Sequence, residues 1–113
     1  MELAQALQQH FGYDAFRKGQ EEVVRSVLSG RPTIAILPTG GGKSLCYQLP
    51  ALLLEGTTIV VSPLLALMKD QVDALRARGI AATFVNSSLN EYERQERQAA
   101  LRRGEYRLVY VAP

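Results

Sequence analysis

At 113 residues the chain is long enough for one domain with a modest core and no more. Hydrophobic residues make up 47% and charged residues 21%, the balance of a soluble globular protein, and no apolar run nears the roughly 18 residues of a membrane span. The net charge of +2 does not by itself imply a polyanionic partner, and the single cysteine, Cys46, excludes an internal disulfide or a cysteine-built zinc cluster.

Residues 2–11 space Leu3, Leu7 and Phe11 four apart, which predicts a short amphipathic helix stopped by Gly12. A turn over 13–19 follows. A second helix is predicted from Gln20, burying Val23, Val24, Val27 and Leu28 and ending at Gly30. Beyond it, β-prone runs at 33–37, 57–61, 81–85 and 106–111 alternate with helical runs at 43–54, 63–78 and 91–103. The apolar runs Thr57–Val61 and Leu108–Val111 read as strands covered on both faces. Ser62 and Pro63 stand as N-cap and first residue of a helix that stripes Leu64, Met68, Val72 and Leu75. Asn90 and Glu93 have capping-box spacing, and the helix they open has a thin apolar face (Tyr92, Ala99, Ala100), which predicts an exposed surface helix. Alternating β and α units with short links define an α/β fold, a three-layer parallel sheet with helices on both faces. The last strand has no covering element after it, so the chain reads as the front part of a larger protein.

One stretch carries chemistry. Leu37-Pro38-Thr39-Gly40-Gly41-Gly42-Lys43-Ser44 lies between a β-prone run and a helical run, the arrangement of a phosphate-binding P-loop. Glycines let successive N–H groups turn inward on one anion, and the helix start adds free N–H groups and the positive end of its dipole. Lys43 is placed to reach the β- and γ-phosphates, and the Ser44 hydroxyl to coordinate Mg²⁺. The alternative is a flexible turn with a surface lysine. Leu37 departs from the usual leading glycine. Cys46, two residues past Ser44 in an apolar helix, reads as a buried structural thiol.

Chain geometry brings a second group to this loop. A helix over 20–29 travels roughly 15 Å and the run over 33–37 returns roughly 16 Å, so Gln20 and Gly40 share one end of the fold. A carboxamide suits adenine, because it donates to N7 and accepts from the N6 amino group, whereas guanine offers two acceptors there. Tyr13 or Phe16 can stack on the base and Arg17 can add a planar contact. The plainer alternatives are Gln20 as a helix-start residue and Phe16 as core. At the carboxyl ends of the other strands stand Ser62-Pro63-Leu64, Asn86-Ser87-Ser88 and Ala112-Pro113, where open α/β sheets bind ligands.

These residues carry a family likeness. Phe11-Gly12-Tyr13 with Phe16-Arg17 and Gly19-Gln20 resembles the adenine-reading motif of RecQ helicases. Pro38 to Gln48 is similar to that family's P-loop and following helix, in which a leading residue other than glycine is usual. Val61-Ser62-Pro63-Leu64 with Leu67-Met68-Lys69-Asp70-Gln71 resembles the next helicase motif, which contacts the single strand. Asn86-Ser87 and Arg107–Pro113 follow in the family's order. Lys18 stands where proline is usual and Ala66 where serine is common.

The resemblance covers essentially the whole chain. It implies a first region, 1–32, of helices carrying the adenine-reading motif, and a second, 33–113, forming the first part of a RecA-like helicase ATP-binding domain. It implies an ATP-dependent 3′-to-5′ DNA helicase of repair and recombination, using ATP and Mg²⁺, with zinc only in a further downstream domain. Tyr13, Arg17, Gln20 and Thr39 to Ser44 would hold nucleotide, with Lys43 and Ser44 catalytic. Ser62, Pro63, Leu64, Lys69, Gln71, Asn86 and Ser87 would face DNA. Partners would be single-stranded and branched DNA and a single-strand-binding protein, with no membrane, for a monomeric motor in the bacterial cytoplasm or the eukaryotic nucleus. The acidic Asp-Glu-x-His motif is not in the chain, so the segment alone is expected to hydrolyse almost no ATP. Two other classes fit part of the pattern: a P-loop kinase or small NTPase without DNA, and a non-catalytic nucleotide-binding module.

Overall fold

The structure, a computed structural model, describes residues 2–37 and 42–113. The expectations placed on Pro38, Thr39, Gly40 and Gly41 lie outside the described residues. Two compact units divide the chain, Met1–Glu55 and Gly56–Pro113. The sequence boundary after 32 differs from this one, because the second helix packs on the helix that follows the P-loop and so joins it in one unit.

The first unit holds α1 (Leu3–Phe11), α2 (Gln20–Leu28) and α3 (Leu45–Leu53). Leu3, Ala6, Leu7 and Phe11 of α1 are buried, and α3 contributes Leu45, Cys46, Leu49 and Ala51. In α2 only Gln20 and Val24 are fully buried, while Val23, Val27 and Leu28 are half-buried. The run 33–37 forms no strand among the described residues. Ile34 and Ile36 are 93% and 92% exposed, since an extended apolar run becomes a strand only where another segment pairs with it. Leu37 instead lies against Gly19, with its Cδ2 3.2 Å from where a Cβ on that glycine would sit.

The second unit is a parallel three-stranded sheet in the order β1-β3-β2, with β1 Thr58–Val61, β2 Ala82–Val85 and β3 Leu108–Val111. Helices α4 (Leu65–Ala77) and α5 (Glu91–Arg102) provide the crossovers. The Arg76 side chain of α4 reaches Thr83 and the Arg97 side chain of α5 lies over the Phe84 ring. Neighbouring strand residues point to opposite faces, so the two helices cover opposite faces of the sheet. The α/β, helices-on-both-faces architecture is thereby realised in a three-stranded form.

Central β3 is buried at Leu108, Val109 and Tyr110, as expected of a strand covered on both sides. Strand β1 is covered less than its sequence implies: Ile59 and Val61 are 61% and 65% exposed. Helix α4 starts at Leu65, later than Ser62-Pro63 predicts. Ser62 Oγ accepts the Leu64 N–H at 3.2 Å, a local turn that competes with helical capping, and Leu64 consequently leaves the apolar stripe and is 59% exposed. Met68, Val72 and Leu75 do form the buried stripe. The Asn90–Glu93 capping box is present with both its bonds, and α5 buries only Ala100.

Candidate nucleotide and nucleic-acid site

In the first unit, the start of α3 holds Lys43 and Ser44. Cys46 N–H bonds to Lys43 O at 3.1 Å, and Tyr47 and Gln48 N–H groups both reach Ser44 O, so the first turn is wound tightly. Among the described residues no backbone acceptor meets the N–H groups of Lys43, Ser44 or Leu45, the orphan donors that an anion at a helix start satisfies. Lys43 is exposed and forms no ion pair among the described residues. The Ser44 side chain makes no capping bond, so its hydroxyl is not spent on the helix. An ammonium, a hydroxyl and the N–H groups of one helix start are a donor set that suits a magnesium-bound polyphosphate.

Gln20 meets this loop across 22 positions of sequence, with its Nε2 donating to Gly42 O at 3.1 Å. Its Oε1 accepts the Arg17 N–H at 2.7 Å, and the side chain is 3% exposed. One buried carboxamide therefore ties the 17–20 turn to the glycine loop. Gly42 has φ +75°, a backbone conformation that favours glycine, and a Cβ there would displace Gln20 Nε2. Gly19, at φ +87°, starts α2 and leaves room for Leu37. The non-glycine residue that opens the P-loop thus has a packing role. Tyr13 is 50% exposed, Arg17 is exposed and Phe16 is half-buried. Burial in α3 raises the Cys46 thiol pKa, which keeps it a protonated structural group at neutral pH.

In the second unit, parallel strands put Ser62, Ala112 and Asn86 at one sheet edge, with Ser62 N–H bonded to Val111 O at 3.0 Å. Two strand spacings separate the Ser62 and Asn86 ends, about 10 Å. Pro63 and Leu64 are exposed, Gln71 is half-buried, and exposed Lys69 pairs with Asp73 at 2.8 Å. That carboxylate's hydrogen bond, more than its charge, raises the Lys69 pKa. Asn86 and Ser87 diverge. Ser87 is exposed, whereas Asn86 is 7% exposed and its carboxamide is used inside the protein. Sequence reasoning also passed over Arg76 and Arg97. Arg76 Nε donates to Ala82 O at 2.8 Å, and Arg97 Nη1 to Phe84 O at 2.7 Å. Nothing in an arginine on a helix surface distinguishes a carbonyl clamp from a solvated charge.

Comparison with known proteins points to one family. Residues 17–113 match the DEAD/DEAH box helicase family. The "ATP-dependent DNA helicase RecQ" of Bacillus subtilis is 55% identical over 112 residues, covering 97% of this chain and 19% of that protein. The "ATP-dependent DNA helicase Q-like 2" of Arabidopsis thaliana is 45% identical over 105 residues, covering 91% of this chain and 15% of that protein. A crystal structure of a hypothetical ATP-dependent RNA helicase from Sulfolobus tokodaii superposes with a TM-score of 0.77 at 22% identity, over 98% of this chain and 33% of that one. That likeness concerns the fold. The chain thus spans about a fifth of the length of the Bacillus relative.

Proposed function

The chain belongs to the DEAD/DEAH box helicase family, and we propose that it supplies the nucleotide cradle and a single-strand-facing edge of a RecQ-type, ATP-dependent 3′-to-5′ DNA helicase. The observation that carries this reading is the Gln20–Gly42 bond, which sets an adenine-suited carboxamide against the phosphate loop. High identity to helicases named for ATP and DNA supports it. Repair and recombination on single-stranded and branched DNA, a monomeric motor, a single-strand-binding partner, and a nucleoid or nuclear setting belong to the same proposal. Among the described residues no helix is long and apolar enough to cross a membrane.

In this reading Lys43 and the N–H groups at the start of α3 neutralise and orient the β- and γ-phosphates. Ser44 offers its hydroxyl to the metal. Mg²⁺, when bound, spreads the developing charge of phosphoryl transfer over its ligands. Gln20 sets base identity, with Tyr13 and Arg17 flanking. Ser62, Pro63, Leu64, Lys69, Gln71 and Ser87 face the strand. The Asp-Glu-x-His motif that the family resemblance implies for water activation does not occur in the sequence, and the segment alone is expected to turn over almost no ATP.

Lys43→Ala in the full-length protein tests the proposal. ATP turnover should fall to background while binding of a labelled single strand persists. Substantial residual turnover would remove Lys43 from the site, and a wild-type protein that ignores DNA would favour a small NTPase.

A further inference from the structure

The loop over 86–90 is held from inside at several points. Asn86 Oδ1 accepts two donors, the Ser88 N–H at 2.9 Å and the Ser88 hydroxyl at 2.5 Å. Those fill the two lone pairs of a carboxamide oxygen. Asn86 Nδ2 donates to Met68 Sδ at 3.5 Å, which ties the loop to the buried stripe of α4. Leu89 is 8% exposed and its N–H reaches Asn86 O at 3.3 Å. Asn90 then caps α5, and Arg97 of the same helix grips Phe84 O, two residues before the loop begins. Ser87, at the tip, is exposed and makes no hydrogen bond among the described residues.

We propose that Asn86 is a positioning residue that presents the Ser87 hydroxyl and N–H to a phosphodiester of a single strand, and is not itself a contact to DNA. This rests on the DNA reading under Proposed function and refines it. A buried carboxamide with its oxygen saturated has no acceptor left for a base edge. A hydroxyl and an amide N–H on a pre-shaped turn, by contrast, are neutral phosphate donors of the kind that fix register without reading sequence. Pre-shaping matters because ordering a loop at the moment of binding would consume affinity.

The same protein shows how to separate positioning from contact. Ser62 Oγ accepts the N–H of the residue two positions on, as Asn86 Oδ1 does. Asn86→Ser therefore keeps the turn-forming acceptor and discards the carboxamide, whereas Asn86→Ala discards both. The measurement is anisotropy of a fluorescein-labelled oligo-dT on the full-length protein over a series of salt concentrations, with a fluorescent ATP analogue as a check on the fold. Asn86→Ala should weaken oligo-dT binding about tenfold, and Asn86→Ser should recover it to within about threefold. Both should keep the wild-type salt slope and nucleotide affinity, because no charge is removed. Asn86→Ser as weak as Asn86→Ala would make the carboxamide a direct contact and overturn the proposal. So would an Asn86→Ala protein that binds normally. If Asn86→Ala does not fold, Ser87→Ala decides the matter: it should weaken binding about threefold, and unchanged binding refutes the proposed contact. A wild-type protein that does not bind oligo-dT would instead dismiss the DNA reading itself.

Discussion

A carboxamide that is 3% exposed has to find its partners within the protein, and Gln20 finds them in the turn before α2 and in the loop before α3. Its oxygen holds the Arg17 N–H and its amide nitrogen holds the Gly42 carbonyl. On the proposed nucleotide reading, substitution acts on two things at once, the base edge and the shape of the loop. Gln20→Ala in the full-length protein should raise KM for ATP and GTP alike through the loop. Loss of the adenine pairing should add roughly a further two- to tenfold for ATP, the value of one net hydrogen bond. Steady-state kinetics with both nucleotides check this. An equal rise for the two would confine Gln20 to holding Gly42. The nearness of Gln20 to the loop was legible in the lengths of one helix and one extended run. Its close contact with Gly42 was not, because that depends on where a side chain from another segment ends.

At the scale of elements, the two edges of the sheet differ. In a parallel strand alternate residues direct their N–H and C=O groups to opposite neighbours. Ala81 O faces β3, accepting Arg107 N–H at 2.7 Å, so Ala82 O and Phe84 O face outward on β2. Arg76 and Arg97, from helices on opposite faces, each donate to one of them, and the Arg97 guanidinium also lies 4.7 Å from the Phe84 ring centroid. Charged side chains over an edge are a known defence against unwanted strand pairing. Replacing both with methionine should lower stability by about 1–3 kcal/mol, two net hydrogen bonds at a hydratable edge. Urea unfolding followed by circular dichroism measures it, and a loss under about 0.5 kcal/mol would mean that water serves the carbonyls equally well. Strands and helix ends were readable where local chemistry has one outcome, as in the Asn90–Glu93 box. The misreadings have separate causes. Pairing of 33–37 depends on a neighbour, and the start of α4 depends on which N–H the Ser62 hydroxyl takes.

For the molecule as a whole, the net charge is small and at least six of the thirteen cations are engaged within the protein. Ten arginines and three lysines face eleven acids, and Arg25, Lys69, Arg94 and Arg103 are in ion pairs. Arg76 and Arg97 are turned onto backbone carbonyls. The strand-end edge of the second unit is built from Ser62-Pro63-Leu64, Asn86-Ser87-Ser88 and Ala112-Pro113, none of them charged. The nearest cation in the α4 segment is Lys69, shared with Asp73. Single-strand binding weakens with salt in proportion to the phosphates neutralised, by about 0.7 in the log–log slope for each. On the proposed single-strand reading this uncharged edge contributes little to that slope beyond Lys69. Lys69→Gln should flatten the full-length slope by about 0.7, and Asp73→Asn should tighten binding about two- to threefold by releasing the ammonium to the phosphate. An unchanged slope would take Lys69 off the DNA. Weaker binding in Asp73→Asn would show that the carboxylate aims Lys69 at the strand and does not compete for it.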